Sequence, residues 1–218
     1  MNNGLSAKIE EWSHPPFDKE TIARLEVLKQ NPGQLEDAFY KDLEFGTGGM
    51  RGIMGIGTNR INTYTLGKST QGLCDYLKSF FDNEPLKVVI AYDCRKNSKS
   101  LAIKVAEVFS ANDIKVFIFS DLRTTPELSF AVKYLEAHCG IVLTASHNPP
   151  EYNGYKVYWK DGGQIVPPQD KEIIYKINHT QFSDIQFNAN QGLIEWIDHE
   201  VDQAFFDKSV QLGKFDLS

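Results

Sequence analysis

Apolar runs alternate with amphipathic stretches through the middle of this chain, and this alternation constrains its fold more than any other feature. The pattern predicts strands at 87–92, 114–119 and 140–145, separated by helices at 100–110 and 126–138. Strands that alternate with helices pair in parallel, because each helix carries the chain back to the same end of the sheet. We therefore expect a three-layer α/β/α fold with a mixed, mainly parallel sheet.

The segments outside this alternation are predicted to form further helices and one antiparallel hairpin. Helices are expected at 19–30, 34–42, 65–81, 169–177 and 194–212. The hairpin would join strands 155–159 and 164–166 through Asp161-Gly162-Gly163. These elements suggest three parts: a helical extension at 1–44, an α/β/α domain at 45–180, and a linker and helix at 181–218 that lead to a second domain.

Charge and cysteine content exclude several classes of protein. The chain has 23 basic and 29 acidic side chains, a formal net charge of −6 and no basic run, so nucleic-acid binding is not expected. Cys74, Cys94 and Cys139 form no Cys-x-x-Cys pair, which indicates reduced thiols and a cytoplasmic protein. No signal-peptide core and no membrane-length apolar run is present, so membrane association is not expected either.

A polar segment at 144–156, Thr-Ala-Ser-His-Asn-Pro-Pro-Glu-Tyr-Asn-Gly-Tyr-Lys, follows the last of these buried strands. Its serine, Ser146, would be held by a rigid strand and still reach a cleft, as a functional loop requires. Asn-Pro-Pro and Asn-Gly are also ordinary turn chemistry, so these residues by themselves leave both interpretations open. A Ser-His-Asp hydrolase is the competing nucleophile hypothesis. It is disfavoured because Ala145 and His147 replace the glycines of Gly-x-Ser-x-Gly. Adjacent side chains on an extended segment also point apart, so we expect His147 to be poorly placed to deprotonate Ser146.

Three further motifs have both a structural and a functional interpretation. The glycine-rich stretch 45–52 could cradle a phosphate with its N–H groups, or form a tight turn before an edge strand. Gly67-Lys68-Ser69 imitates the end of a P-loop, but Asn62 stands where that motif requires its first glycine. Asp93 and Arg95 lie at the carboxyl end of a predicted strand, where we expect them to brace the serine loop rather than act directly in catalysis.

The segment from Ser146-His147-Asn148 to Lys156 resembles the phosphoserine loop of the α-D-phosphohexomutases, the family of phosphoglucomutase and phosphomannomutase. The stretch Phe-Gly-Thr-Gly-Gly-Met-Arg, which ends at Arg51, is similar to the N-terminal segment of the branch that includes phosphopentomutase-like enzymes. The resemblance implies that Ser146 carries the transferred phosphoryl group. It also implies that Arg51, His147, Asn148 and Lys156 bind this phosphate, with Ser146, Arg51, His147 and Lys156 taking part in catalysis. Lys156 is the local candidate for proton transfer.

The resemblance further implies a four-domain parent of which this chain is the first domain. Mg²⁺ would bind the phosphate on Ser146, with its remaining ligands outside this chain, and a glucose 1,6-bisphosphate-type activator would be needed. The parent would interconvert glucose 1-phosphate and glucose 6-phosphate, with mannose or pentose phosphates, or a non-catalytic sugar-phosphate-binding module, as alternatives. Without the later domains we expect this fragment to be inactive. Phe205 and Phe206 would then expose apolar surface that favours self-association.

Overall fold

The computed structural model describes residues 3–82 and 84–213, and within them it contains eight α-helices and one six-stranded sheet. The helices are α1 (Asn3–Glu11), α2 (Lys19–Leu28), α3 (Pro32–Phe39), α4 (Thr63–Phe80), α5 (Ser98–Ala111), α6 (Thr125–Tyr134), α7 (Gln169–His179) and α8 (His199–Gln211). The strands are β1 (Gly49–Ile53), β2 (Lys87–Tyr92), β3 (Lys115–Phe119), β4 (Cys139–Leu143), β5 (Tyr152–Trp159) and β6 (Ile194–Ile197). Within the described ranges, no helix is long and apolar enough to cross a membrane.

The sheet has the strand order β1-β5-β4-β2-β3-β6. Strands β4, β2, β3 and β6 are parallel, whereas β5 runs antiparallel to both β4 and β1. Helices α4, α5 and α7 cover one face, and α6 and α8 cover the other. The expected three-layer α/β/α fold with a mixed, mainly parallel sheet is therefore confirmed.

Strand β2 shows why the central strands are continuous apolar runs. Val88 and Ile90 pack under α4 and α5, while Val89 and Ala91 pack under α6. Because both faces of the strand are covered, no position from Val88 to Ala91 is left for a polar side chain. Strands β2 and β4 pair in parallel, so their carboxyl ends meet at one edge of the sheet, and that edge carries the serine loop.

The predicted hairpin between 155–159 and 164–166 forms, but it is short. The N–H of Trp159 donates to the carbonyl of Gly163 at 2.7 Å, the N–H of Ile165 donates to the carbonyl of Val157 at 3.1 Å, and Tyr158 and Gln164 form an antiparallel bridge. Strand β5 begins earlier than predicted, at Tyr152, and the rest of this edge is occupied by β1, in the register Arg51 to Gly154. Strand β1 lies about one hundred residues earlier in the chain, so the local turn signal predicted the hairpin but not this longer pairing.

The predicted helix at 194–212 is wrong at its start. Ile194–Ile197 form strand β6, which pairs in parallel with β3, and helix α8 begins only at His199. The four residues Ile-Glu-Trp-Ile fit either structure locally, and hydrogen bonds from the exposed edge of β3 make the strand the more stable choice. The boundaries that separate residues 181–218 from the central domain stay a prediction.

Helices α1, α2 and α3 form a second apolar cluster beside the main core. Trp12 is fully buried, stacks on Phe17 at a ring-centroid distance of 4.3 Å, and packs edge-on against Phe39. Tyr64 of α4 and Phe182 complete the contacts around this indole. The N-terminal helices are thereby anchored to α4, the helix that also covers the sheet.

Candidate functional site: the Ser146 loop

The serine loop begins where strand β4 ends. Thr144 and Ala145 continue the buried run of the strand, and Ser146 is the first exposed residue. Its backbone has a φ of +56°, in the left-handed region that a non-glycine residue seldom adopts. The N–H of Ser146 donates to Oγ1 of Thr144 at 3.0 Å, so this threonine, for which sequence analysis found no role, stabilises the turn.

The turn brings the side chains of Ser146 and His147 together. Oγ of Ser146 lies 3.3 Å from Nδ1 of His147, within hydrogen-bond distance. The expectation that these neighbours point apart is wrong, because it assumed an extended backbone and Ser146 instead adopts a left-handed turn. Among the described residues no carboxylate contacts the imidazole of His147, so the third member of a hydrolase triad is missing.

Asn148 continues the turn and closes it onto the strand end. Its N–H donates to the carbonyl of Ala145 at 3.1 Å, and later in the loop the N–H of Tyr152 donates to the carbonyl of Pro149 at 3.0 Å. Oδ1 of Asn148 is buried and has no hydrogen-bond partner among the described residues. The loop is therefore held by internal bonds, with one amide group left over for a ligand or for another part of the protein.

Asp93 and Arg95 follow strand β2 and lie directly beneath the loop. The guanidinium of Arg95 donates to backbone carbonyls of the 146–152 segment, and its Nε lies 3.4 Å from Oδ2 of Asp93. The expected Asp–Arg brace of the serine loop is confirmed. These donors face the protein backbone, so Arg95 does not present them to a substrate.

Arg51 and Lys156 lie on adjacent strands at the same end of the sheet. Arg51 of β1 is opposite Gly154 of β5, and Lys156 is two residues farther along β5, so both side chains leave the same face of the sheet. A Cβ at Gly154 would lie 2.5 Å from the carbonyl oxygen of Thr144 and 3.5 Å from Cβ of Arg51. The glycine thus allows the end of β4 that leads to Ser146 to approach β5 closely, next to Arg51.

The described part of the chain gives neither cation an ion-pair partner. Two positive side chains on the same face as the strand end that leads to an exposed serine form a local environment suited to an anion. The assignment of Arg51, His147, Asn148 and Lys156 as phosphate ligands stays a prediction.

The glycine-rich stretch before β1 forms a tight turn. Gly46 and Gly49 exchange backbone hydrogen bonds of 2.9 and 3.1 Å, and the carbonyl of Gly48 accepts from Val157 at 2.9 Å. A Cβ at Gly49, whose φ is +137°, would overlap the carbonyl oxygen of Tyr155. Close backbone packing therefore explains these glycines, as in the structural interpretation. The N–H groups of Gly46 and Gly49 are already bonded and cannot cradle a phosphate.

The P-loop likeness and the implied metal site can also be compared with the structure. Gly67-Lys68-Ser69 lies inside α4, with Lys68 over the ring of Phe182 at 5.4 Å, so the P-loop likeness is accidental.

Within the described ranges, no group of three or more His, Cys, Asp or Glu side chains could hold a metal ion. Ser146 fits the implied Mg²⁺ only in part, since a phosphate on this exposed serine would supply a single ligand group.

Comparison with known proteins finds one family. A family model described as "Phosphoglucomutase/phosphomannomutase, alpha/beta/alpha domain I" matches residues 42–184. A phosphoglucomutase of Staphylococcus haemolyticus is 39% identical over 176 residues, which are 80% of this chain and 32% of the relative. A phosphopentomutase of Homo sapiens is 40% identical over 169 residues, which are 74% of this chain and 28% of the relative.

The fold agrees as well. The crystal structure of parafusin from Paramecium, a phosphoglucomutase in its open form, matches with a TM-score of 0.62 at 17% identity, over 81% of this chain and 37% of that one. The chain spans about a third of the length of the curated relatives it matches. The sheet order, the serine loop at the end of β4 and the matched residues together show that this chain belongs to the phosphoglucomutase/phosphomannomutase family and carries its α/β/α domain I.

Proposed function

We propose that this chain is the phosphoserine-bearing domain of a sugar-phosphate mutase that interconverts glucose 1-phosphate and glucose 6-phosphate through a sugar bisphosphate. The observation that carries the proposal is the position of Ser146. It is exposed, it follows a fully buried strand, and hydrogen bonds hold its backbone in one conformation. A hydroxyl presented in this way can carry a phosphoryl group in a constant orientation.

In the proposed reaction, phosphorylated Ser146 donates its phosphoryl group to the free hydroxyl of a sugar monophosphate. The bond between phosphorus and Oγ of Ser146 breaks and a bond to the sugar oxygen forms. The proton of the sugar hydroxyl passes to a base, for which Lys156 is the candidate, and Oγ of Ser146 is protonated as it leaves. The resulting bisphosphate then transfers its other phosphoryl group to Oγ of Ser146, which gives up its proton while the leaving sugar oxygen gains one; this restores the phosphoenzyme and releases the isomeric monophosphate.

Catalysis of such a transfer depends on positioning and on neutralising negative charge. Arg51 and Lys156 would supply positive charge at the phosphate, and a guanidinium can bind two phosphate oxygens at once. His147, within 3.3 Å of Oγ of Ser146, and Asn148 would supply hydrogen bonds to the same group. Bound Mg²⁺ would add further positive charge, and Ser146 would hold it through its phosphate.

Glucose phosphate is the proposed substrate, and pentose and mannose phosphates are the alternatives. Similarity to a phosphopentomutase supports a pentose phosphate nearly as well as similarity to a phosphoglucomutase supports glucose phosphate. A mannose phosphate substrate and a non-catalytic sugar-phosphate-binding role are also compatible with the family. Supplying the complete parent protein with glucose 1-phosphate and a trace of glucose 1,6-bisphosphate, and then with mannose 1-phosphate and ribose 1-phosphate, would distinguish these cases.

Downstream domains of the same polypeptide would bind the sugar and complete the metal site, and helix α8 offers a surface for them because Phe206 and Val210 are exposed. Phe205 instead packs on Phe130, with a ring-centroid distance of 5.5 Å. Without such domains the apolar face of α8 would favour self-association. The three cysteines are unbridged, which supports the proposed cytoplasmic location.

The test of the phosphoryl carrier compares the parent protein with two alanine variants. Incubation with a ³²P-labelled sugar bisphosphate should label the wild type and Ser100→Ala, whose serine is exposed but lies on α5 outside the loop. Ser146→Ala should remain unlabelled, and intact-mass analysis should show the same pattern. Stoichiometric label on Ser146→Ala would refute the assignment of this serine.

A further inference from the structure

Arg95 uses both terminal nitrogens of its guanidinium to hold the backbone of the serine loop. Its Nη2 donates to the carbonyls of Ser146 at 2.7 Å and Asn148 at 2.8 Å. Its Nη1 donates to the carbonyls of Pro149 at 3.0 Å and Tyr152 at 3.2 Å. Four N–H groups of the planar fork are therefore bonded to four carbonyls of one loop, and only 12% of the side chain is exposed.

These bonds act on the backbone of the residue proposed to carry the phosphoryl group. The carbonyl of Ser146 is held by Arg95, and its N–H is held by Thr144 from the other side. A non-glycine residue keeps a left-handed conformation only where its surroundings hold it there. At Ser146 the hydrogen bonds to its N–H and to its carbonyl hold that conformation.

A network of buried polar groups holds Arg95 in turn. Oδ1 of Asp93 accepts a hydrogen bond from the backbone N–H of Arg95 at 3.0 Å and another from the hydroxyl of Ser98 at 2.9 Å. Nδ2 of Asn153 donates to the same hydroxyl at 3.0 Å. Ser98 is 1% exposed and Asn153 is fully buried. The network joins the end of β2, the first turn of α5 and the start of β5, three elements whose own positions are determined by the core.

We propose that Arg95 is a positioning residue for phosphoryl transfer, held by Asp93, Ser98 and Asn153, and that it sets the orientation of Ser146 without touching the substrate. This inference rests on the proposed function. All four terminal N–H groups of Arg95 are bonded to carbonyls, so none remains for a phosphate. In-line transfer is sensitive to the position of the donor oxygen, and a displacement of about 1 Å can lower the rate about a hundredfold.

The kinetic test compares Arg95→Ala, Arg95→Lys and Arg24→Ala in the complete parent protein. Arg95→Ala should lower kcat at least about tenfold and change KM by less than about threefold. Arg95→Lys keeps the charge but has three donors and no planar fork, so it should remain impaired. Added guanidinium at ~20 mM, far below denaturing concentrations, should raise the activity of Arg95→Ala and leave Arg95→Lys unchanged. Arg24→Ala, an exposed arginine on α2, should behave as wild type in both conditions.

Hydrogen exchange gives a readout that does not depend on turnover. In Arg95→Ala, amides of the 146–152 segment should exchange faster, while those of β2 and β4 should be unchanged. If Arg95→Ala does not fold, Ser98→Ala removes one hydroxyl from the network and should show smaller changes in the same direction. Wild-type kcat together with wild-type loop exchange would overturn the inference, as would a raised KM with unchanged exchange, since that result places Arg95 at the substrate.

The kinetic test and the hydrogen-exchange test together separate the positioning role of Arg95 from the proposed function on which it rests. If the wild-type parent shows no phosphoryl transfer to or from Ser146, the proposed function fails. The exchange experiment then still decides whether Arg95 holds the loop. If transfer occurs, and Arg95→Ala changes neither kcat nor the exchange of the 146–152 amides, only the positioning role is refuted.

Discussion

Replacing Gly72 with alanine tests how closely helix α4 packs on α7, in the layer of helices that covers one face of β5. A Cβ at Gly72 would lie 2.7 Å from N, Cα and Cγ1 of Ile177. Two of these atoms belong to the backbone of a buried turn of α7, so no side-chain rotation can relieve the overlap. Gly67 on the same helix is the matched control, because its Cβ would meet only the side-chain ends of Phe187 at 2.9 Å and Ile185 at 3.1 Å.

Two opposing effects decide the sign of the change. Alanine is favoured over glycine in a helix interior by about 1 kcal/mol, and this gain applies to both positions. Overpacking a core costs about 1–3 kcal/mol. Since carbon atoms pack at about 3.5–4.0 Å, the two helices would have to separate by about 1 Å at Gly72. Because the overlap at Gly72 involves backbone atoms that cannot rotate away, the cost lies in the upper part of this range, about 2–3 kcal/mol. After subtraction of the helix gain of about 1 kcal/mol, we expect Gly72→Ala to lower the free energy of unfolding by about 1–2 kcal/mol. Gly67→Ala should change it by less than about 0.5 kcal/mol, because its neighbours can rotate away.

Urea unfolding of the purified 218-residue chain, followed by circular dichroism, measures this difference. Gly72→Ala should shift the midpoint with an unchanged slope, and its Tm should fall by about 2–8 °C for a chain of this length. Equal or greater stability of Gly72→Ala relative to the wild type would show that α4 and α7 are not in backbone contact. Equal losses at both positions would refute the distinction between backbone and side-chain neighbours.

Three further predictions concern the site, the N-terminal helices and the domain as a whole. In the complete protein, Arg51→Ala and Lys156→Ala should each lower kcat/KM at least about tenfold, or about 1.4 kcal/mol; wild-type kinetics in both would place these side chains elsewhere. Partial burial raises the pKa of Asp18, but hydrogen bonds from Thr21 and Tyr64 outweigh it and lower the pKa below 3.8. The wild type should therefore be more stable than Asp18→Asn above pH 3.8, and urea midpoints should converge as the pH falls through the lowered pKa; a difference that persists in acid would contradict this. The isolated chain should unfold cooperatively but show no mutase turnover. Turnover by the isolated wild-type chain above that of Ser146→Ala would show that the active site has been assigned to the wrong residues.

The parts of the fold that sequence predicted well are those with a strong local signal. The limits of β2 were predicted as observed, Lys87–Tyr92, because a strand buried on both faces is an uninterrupted apolar run between polar residues. Helices α5 and α6 differ from their predicted limits only at the ends. The end of β4 was located because polar and proline residues follow this strand abruptly, whereas the function of the serine loop was predicted from the resemblance of its residues to a known phosphoserine loop.

The assignment of residues to the site stays a prediction, and the geometry around Ser146 was only partly foreseen. We expected Asp93 and Arg95 to brace the serine loop. We did not expect Arg95 to donate to four loop carbonyls, because a turn must first bring these carbonyls together. The contact between Ser146 and His147 was missed because it follows from a left-handed residue, and serine carries no local signal for that conformation. Thr144, two residues before the serine, was the available clue, since its hydroxyl can accept a nearby backbone N–H.

The sequence by itself determined the alternation of strands and helices, the parallel core and the location of the exposed loop serine, because these depend on periodicity and on residues adjacent in the chain. Only the tertiary structure decided that β1 is the partner of β5, that 194–197 form a sixth strand, and that Arg51 and Lys156 share a face. Each of these depends on pairing between segments far apart in the chain. The free energy of such a pairing comes from hydrogen bonds and burial that neither segment has alone.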